Sequence, residues 1–233
     1  MSRTYLDLSR LLVSELGVAG GSGPSAVTGQ TGELKNIVQW VAEADVYIQN
    51  LWDDWRFLWT HVTGQVATQG SDTIAYVTDL AEPVHDGLVL NAGLTTAYKP
   101  EWMDWAQFRS RYGTTPKRTA SRVVHWSVSP DQVIHLSHLV GADQAWSLDY
   151  YRQPVRMAAN GDRSPIPEAM DRIIIARAAI IYGTREDAPE IVTGYSGEYA
   201  DILERLEGKY LEGHKSHVSG SGANSPTPDW SGY

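Results

Sequence analysis

Apolar residues recur at two distinct periods along this chain, and the periods divide it. Leu8, Leu11, Leu12 and Leu16 follow Tyr5 at three-and-four spacing, which predicts an amphipathic helix over residues 4–16. The stretch GVAGGSGPSAVTGQTG (17–32) is too dense in Gly, Ser and Pro to continue it and reads as loop. From Glu33 the spacing predicts one long helix. Leu34, Ile37, Val38, Val41, Ile48, Leu51, Trp52, Trp55, Leu58, Trp59 and Val62 fall on its stripe, while Trp40, Ala44 and Tyr47 widen it. Thr31 is placed to cap this helix, and the charge of Glu33 suits its first turn. Asp53, Asp54 and Arg56 lie off the stripe.

Between residues 63 and 151 the period shortens to that of strands. QVATQGSDTIAYV reads as a hairpin turning at Gly70-Ser71-Asp72, and SRVVHWSVSPDQVIHLSHL as a second turning at Ser129-Pro130-Asp131. QAWSLDYYRQP alternates and stops at Pro154, and KPEWMDWAQFRSRYG reads as a short helix against the sheet. Helical spacing then returns. Pro167 suits a first turn, and Met170, Ile173, Ile174, Ala178, Ile180 and Ile181 predict a very apolar helix ending at Gly183.

A turn of about four residues leads to the last helix, where Asp187 and Glu190 have capping-box spacing and Pro189 lies in the first turn. Its stripe is Ile191, Tyr195, Tyr199, Ile202, Leu203, Leu206 and Tyr210. Gly194 and Gly197 each cost such a helix about 1 kcal/mol relative to Ala, so close approach of a neighbouring backbone is expected there. The closing stretch GHKSHVSGSGANSPTPDWSGY has no period and on its own is expected to be disordered, yet it carries Trp230 and Tyr233.

These elements predict an α+β fold: a mainly α-helical bundle with an inserted antiparallel β region and a flexible C-terminal extension. Residues 1–62 supply the N-terminal helices, 63–152 the β region with its short helix, 153–212 a helical hairpin completing the bundle, and 213–233 the tail.

The stretch IQNLWDDWRFLW (48–59) admits a sugar-stacking platform, a membrane-surface anchor or a buried spine. A periodic apolar stripe favours the spine. A membrane-surface helix needs a basic polar face, and here that face carries Asp53 and Asp54. No run approaches the roughly 20 apolar residues of a membrane span, and the N-terminal stretch has no apolar core of a secretory signal, so a soluble protein is expected. The 233 residues include no Cys, which removes disulfides and thiol chemistry and suits a reducing compartment. A formal charge of −9 argues against general DNA binding, which rests on Lys and Arg releasing counterions. Nine Trp and twelve Tyr against two Phe point weakly toward protein interfaces.

Candidate chemistry is thin. His135 and His138, three apart in a strand, point to opposite faces, and His214 and His217 are two ligands where a dedicated site needs three or four. Asp53 and Asp54 diverge by about 100° on a helix. No nucleophile elbow, Walker loop or HExxH sequence occurs. Asp104, Arg109 and Arg111 read as solvated or interface charges. The expectation is therefore no catalytic residue, no metal and no cofactor.

The stretch YYRQPVRMAANGDRSPIPEAMDRIIIARAAIIYGTREDAPEIVTGYSGEYADILERLEGKYL resembles the C-terminal half of tailed-bacteriophage head-to-tail adaptor (connector) proteins. GQTGELKNIVQWVAEADVYIQNLWDDWRFLW, YKPEWMDWAQFRSRYG and SVSPDQVIHL are similar to successive elements of the same family. The order and spacing of these motifs over residues 5–211 carry the resemblance. Residues 77–94 fit it poorly, and the segment beyond Glu212 is longer and richer in Gly and Ser than the family pattern.

The resemblance implies a structural virion protein at the head–tail interface, assembled in the host cytoplasm, with roles in genome packaging and ejection. It implies a homo-oligomeric ring, typically a dodecamer, beneath the portal protein. That ring would extend a channel through which DNA passes without specific binding and would receive the downstream tail or tail-nozzle protein, with no membrane partner. Tyr210, Trp230 and Tyr233 are the candidate portal-docking residues. A tail terminator or stopper ring is the alternative, with a virion-associated carbohydrate-binding module further off.

Overall fold

The structure, a computed structural model, describes residues 3–18, 23–74, 77–113 and 117–211. The tail and its Trp230 and Tyr233, with His214 and His217, lie outside the described residues. Among the described residues, helices stand at both ends with β structure between them, the α+β arrangement that the two periods predict.

Helix α1 (Tyr5–Leu16) starts on a full capping box: the Thr4 hydroxyl accepts from the Asp7 amide, and the Asp7 carboxylate accepts from the Thr4 amide and hydroxyl. It buries Tyr5, Leu8, Leu12 and Val13 and ends on Gly17 at φ 66, the left-handed cap position that glycine fills most readily. Helix α2 (Gly32–Gln49) buries Ile37, Val38, Trp40, Val41, Ala44 and Ile48, but the Thr31 side chain makes no capping bond.

The long-helix expectation fails beyond Gln49. Asn50 takes the C-cap, and the indole N–H of Trp55 donates to the Ile48 carbonyl at 3.1 Å, satisfying one of the acceptors a helix end leaves open. The chain therefore turns, and Trp59–Ala67 forms strand β1.

The β region comprises β1, β2 (Thr73–Ile74), β3 (Leu80–Pro83), β4 (Val89–Leu90), β5 (Glu101–Trp102), β6 (Thr119–Ala120), β7 (His125–Val128), β8 (Ile134–Leu136), β9 (Leu139–Val140) and β10 (Gln144–Arg152). Helix α3 (Trp105–Tyr112) lies among them and buries Phe108. The second expected hairpin forms, with Trp126 opposite Leu136 and Val128 opposite Ile134. The first does not. β1 pairs with β10, whereas β2 pairs with β8 in another sheet, because the turn at Gly70 is tied away from β1 by Gly70 N–H donating to the Val140 carbonyl at 2.8 Å. Ala75 and Tyr76 of that second arm lie outside the described residues. The region is also not wholly antiparallel: β5 runs parallel to β7, and β6 to β9.

Strand β10 is the wall between two cores. Trp146, Leu148 and Tyr150 enter the β core with Trp126, Ile134 and Leu136, while Tyr151 joins the helical core. The two-residue period of a strand puts these neighbours on opposite faces.

A one-turn helix (Glu168–Met170) precedes α4 (Arg172–Arg185), whose Ile173, Ile174, Ile175, Ala176, Ala178, Ala179 and Ile180 are all buried. α4 runs past Gly183, and three residues then lead into α5 (Pro189–Tyr210). The expected capping box is absent. Asp187 sits at φ 52 and Ala188 takes the cap position. Gly183 lies against Val192 while Arg172 bonds Glu198, so α5 folds back antiparallel to α4. Close approach of backbones occurs at Gly183, where an added Cβ would meet the Ala188 carbonyl oxygen at 2.9 Å. Gly194 and Gly197 are instead exposed, with nothing within 4 Å of such an atom, contrary to the expectation from their helix cost.

The loop joining β10 to α4 staples the helices together. Ser164 donates to buried Asp45 at 2.5 Å, and Gln49 donates to the same carboxylate at 2.9 Å and accepts from Val155 N–H at 3.1 Å. Tyr5 N–H donates to the Asp162 carbonyl at 2.8 Å, and Val27 N–H to the Asn160 side chain at 2.7 Å. Burial raises the Asp45 carboxyl to about 6, against the opposing bonds from Ser164 and Gln49.

Candidate functional site

The aromatic stretch 48–59 collects where the described chain ends. The last residue of α5, Tyr210, accepts on its carbonyl from Arg56 N–H at 3.0 Å, and its ring meets Phe57 edge-on at 6.1 Å. Phe57 stacks on Trp55 at 5.0 Å, and the indole of Trp52 donates to Glu207 at 3.0 Å. Lys209 stands 5.3 Å over the Tyr210 ring. The spine expectation thus holds for one tryptophan of three: Trp55 is fully buried, whereas Trp52 and Trp59 are each 42% exposed. Tyr210, one of the three candidate docking residues, stands in this aromatic collar next to Leu211, the last described residue. The residues around it (Phe57, Glu207 and Lys209) were not singled out by the sequence, because a continuous helix through 62 would have carried Phe57 away from α5.

A second surface surrounds α3. Two open clefts, of about 520 and 560 Å³, lie against this helix, and both are lined by Trp105, Arg109 and Gly113. Asp104 caps α3 by accepting from Ala106 N–H at 2.9 Å, so its role is structural. Lys117 pairs with Asp72 at 2.9 Å. Behind the helix stand two histidines that contact different partners. His125 shares a hydrogen bond with the Tyr112 hydroxyl at 2.8 Å, and burial, helped by Arg111, lowers its pKa. His135 lies 4.9 Å from Trp105, and burial, helped by Lys117, lowers its pKa too. Both therefore favour the neutral form. His138 bonds Ser137 at 2.9 Å. Among the described residues no group of three or more His, Asp or Glu is placed to hold a metal ion. Nor, among them, is any helix long and apolar enough to cross a membrane.

A third cluster is polar and half-buried. Arg172 donates to both carboxylate oxygens of Glu198, at 2.7 and 3.2 Å, and pairs with Glu15, which also accepts from the Tyr195 hydroxyl at 3.0 Å. The Glu198 bonds, foremost among these contacts, raise the Arg172 pKa. This cluster locks α1, α4 and α5 to one another.

Two fused cores thus carry an aromatic collar at one place and a basic, aromatic helix at another. A family model described as SU10 adaptor protein matches residues 3–224, and the chain belongs to that family of tailed-phage head-to-tail adaptors. It is a viral structural protein with the general role of a head-to-tail connector. Comparison with the curated proteins gives no match. The family match runs through the first part of the segment after α5 and ends before Trp230 and Tyr233.

Proposed function

We propose that this protein forms a dodecameric ring that docks beneath the portal, extends the DNA channel and receives the tail or tail-nozzle protein. The observation that carries this reading is the family match over residues 3–224. The position of Tyr210 supports the docking mode: the described residues end at Leu211 beside the aromatic collar, so a partner that gripped the 22 residues after it would meet the chain next to Trp52, Phe57 and Tyr210. In this mechanism residues 213–233 order on the portal, with Trp230 and Tyr233 as anchors. The ordering cost keeps association weak until a template is present. A net charge of −9 lets DNA pass along the ring without adhering.

The test compares the full chain with a chain truncated after Glu212. The full chain is expected to be monomeric alone and to give a closed ring when mixed with its portal, and the truncated chain is expected to lose portal attachment. Unchanged attachment of the truncated chain would refute the docking role of the tail, and a mixture containing no ring would refute the ring.

A further inference from the structure

We propose that α3 and its flanking loops form a basic docking platform whose occupant is a second copy of this chain, presenting the acidic outer face of its α5. This rests on the ring reading and assigns it a contact surface. Charge is distributed very unevenly along the sequence. Residues 99–122 hold Lys99, Arg109, Arg111, Lys117, Arg118 and Arg122 against only Glu101 and Asp104, six positive less two negative, or +4. The total is −9, so the remainder of the chain carries −13.

Five of these six cations are exposed and, among the described residues, have no carboxylate partner; Lys117 is the one that is paired. The two acids of the stretch are engaged nearby, Asp104 as the cap of α3 and Glu101 3.5 Å from His125. Arg109 and half-buried Trp105 line both clefts, so a partner astride α3 would meet a ring and a guanidinium from either side. Arg and Trp are the side chains most favoured as interface anchors.

Charge complementarity names the occupant. On α5, Glu190, Gly194, Gly197, Asp201, Glu204 and Gly208 recur at alternating four- and three-residue spacing, which aligns them on one face, and all six are exposed. That face is acidic, and its glycines leave open space that no described group of the same chain fills. The platform belongs to the β region and the acidic face to the helical one, so each copy carries two different complementary surfaces. A contact between unlike surfaces closes into a ring when its rotation permits. Burying the cations between subunits also removes them from any DNA path, leaving the acidic remainder to face it. Salt is expected to weaken the contact, since exposed charges are screened beyond about 8 Å at physiological ionic strength.

The experiment mixes purified full-length variants with the portal and reads ring mass, with circular dichroism as a check on folding. Arg109→Glu with Arg118→Glu is expected to lose the ring, as is Glu190→Lys with Asp201→Lys and Glu204→Lys. All five changes together are expected to restore it. A normal ring from the Arg109/Arg118 variant overturns the platform while leaving the ring reading intact. Absence of a ring from the unmodified chain overturns the ring reading itself. Loss with the arginine pair but not with the α5 triple, or failure of the five changes to restore assembly, overturns α5 as the occupant. If the arginine variant rings normally but loses retention of duplex DNA at low salt, the platform is a nucleic-acid surface and the proposal falls.

Discussion

The helical and β regions share strand β10 but hold themselves together by different means. In the helical region, α4 is apolar almost all round and packs among α1, α2 and α5, so its core follows from stripes that repeat within each element. In the β region five strands are only two residues long, and polar side chains take over work that a longer ladder would do. The Tyr98 hydroxyl accepts from Val123 N–H at 2.9 Å and donates to Gln144 at 3.1 Å. The Ser137 hydroxyl accepts from His125 N–H at 3.0 Å. A core of periodic helices tolerates a loosely patterned loop, whereas a core of two-residue strands depends on individual hydrogen bonds.

Removing a large buried ring from either core should have the largest effect. Trp55→Ala and Trp126→Ala, both at fully buried positions, are each expected to cost about 3–5 kcal/mol in chemical denaturation. If the regions unfold as one unit through β10, fluorescence and circular dichroism will report a single shifted transition for both variants. Separate transitions would show two independently stable halves.

Next is the buried carboxylate of the helical region. The folded-state pKa of Asp45 is raised to about 6 from 3.8. The associated stability is fully present below the lower value and is lost as pH rises through the upper one. A shift of this size corresponds to about 3 kcal/mol at most. Stability measured between about pH 4 and 7 should decline for the native chain and be flatter for Asp45→Asn.

In the β region, Tyr98→Phe leaves a buried backbone N–H and the Gln144 amide without their partner, and about 1–3 kcal/mol should be lost. A negligible change would mean that the short strands hold without their side-chain links.

The smallest effects contrast two kinds of glycine in the helical region. Gly183→Ala pushes a methyl group into the Ala188 carbonyl and Val192, and about 1–3 kcal/mol should be lost. Gly194→Ala meets open space and should stabilise the isolated chain by about 1 kcal/mol. If Gly194→Ala also impairs ring formation, that glycine is kept for a neighbour and not for the fold.

Local pattern was enough to place α1, α4, α5, the Trp126–Leu136 hairpin and the long strand β10, because each repeats its own period over several residues. It misjudged Trp52 and Trp59, whose three-and-four spacing continues a helix that Asn50 and the Trp55 indole bring to an end. Of the docking candidates, Tyr210 was visible as the end of a stripe, but the collar around it was not, since Phe57 and Tyr210 lie far apart in sequence. The basic run 99–122 could be counted from the letters alone, yet that Arg109 and Lys117 meet Asp72 and Trp105 around one cleft depends on the fold.

The sequence by itself determined most of the helical and extended stretches, though not the end of α2, together with the absence of thiol chemistry, the acidic balance and the order of motifs that resembles head-to-tail adaptors. Those properties follow from side-chain period and residue type, which act over a few neighbours. Only the tertiary structure decided that β1 turns from β2 to β10, that β5 and β6 run parallel to their partners, and that Gly183 and not Gly194 or Gly197 meets a neighbouring helix. Such pairings join residues far apart in sequence, and their outcome depends on competition among all the surfaces that the folding chain can bury.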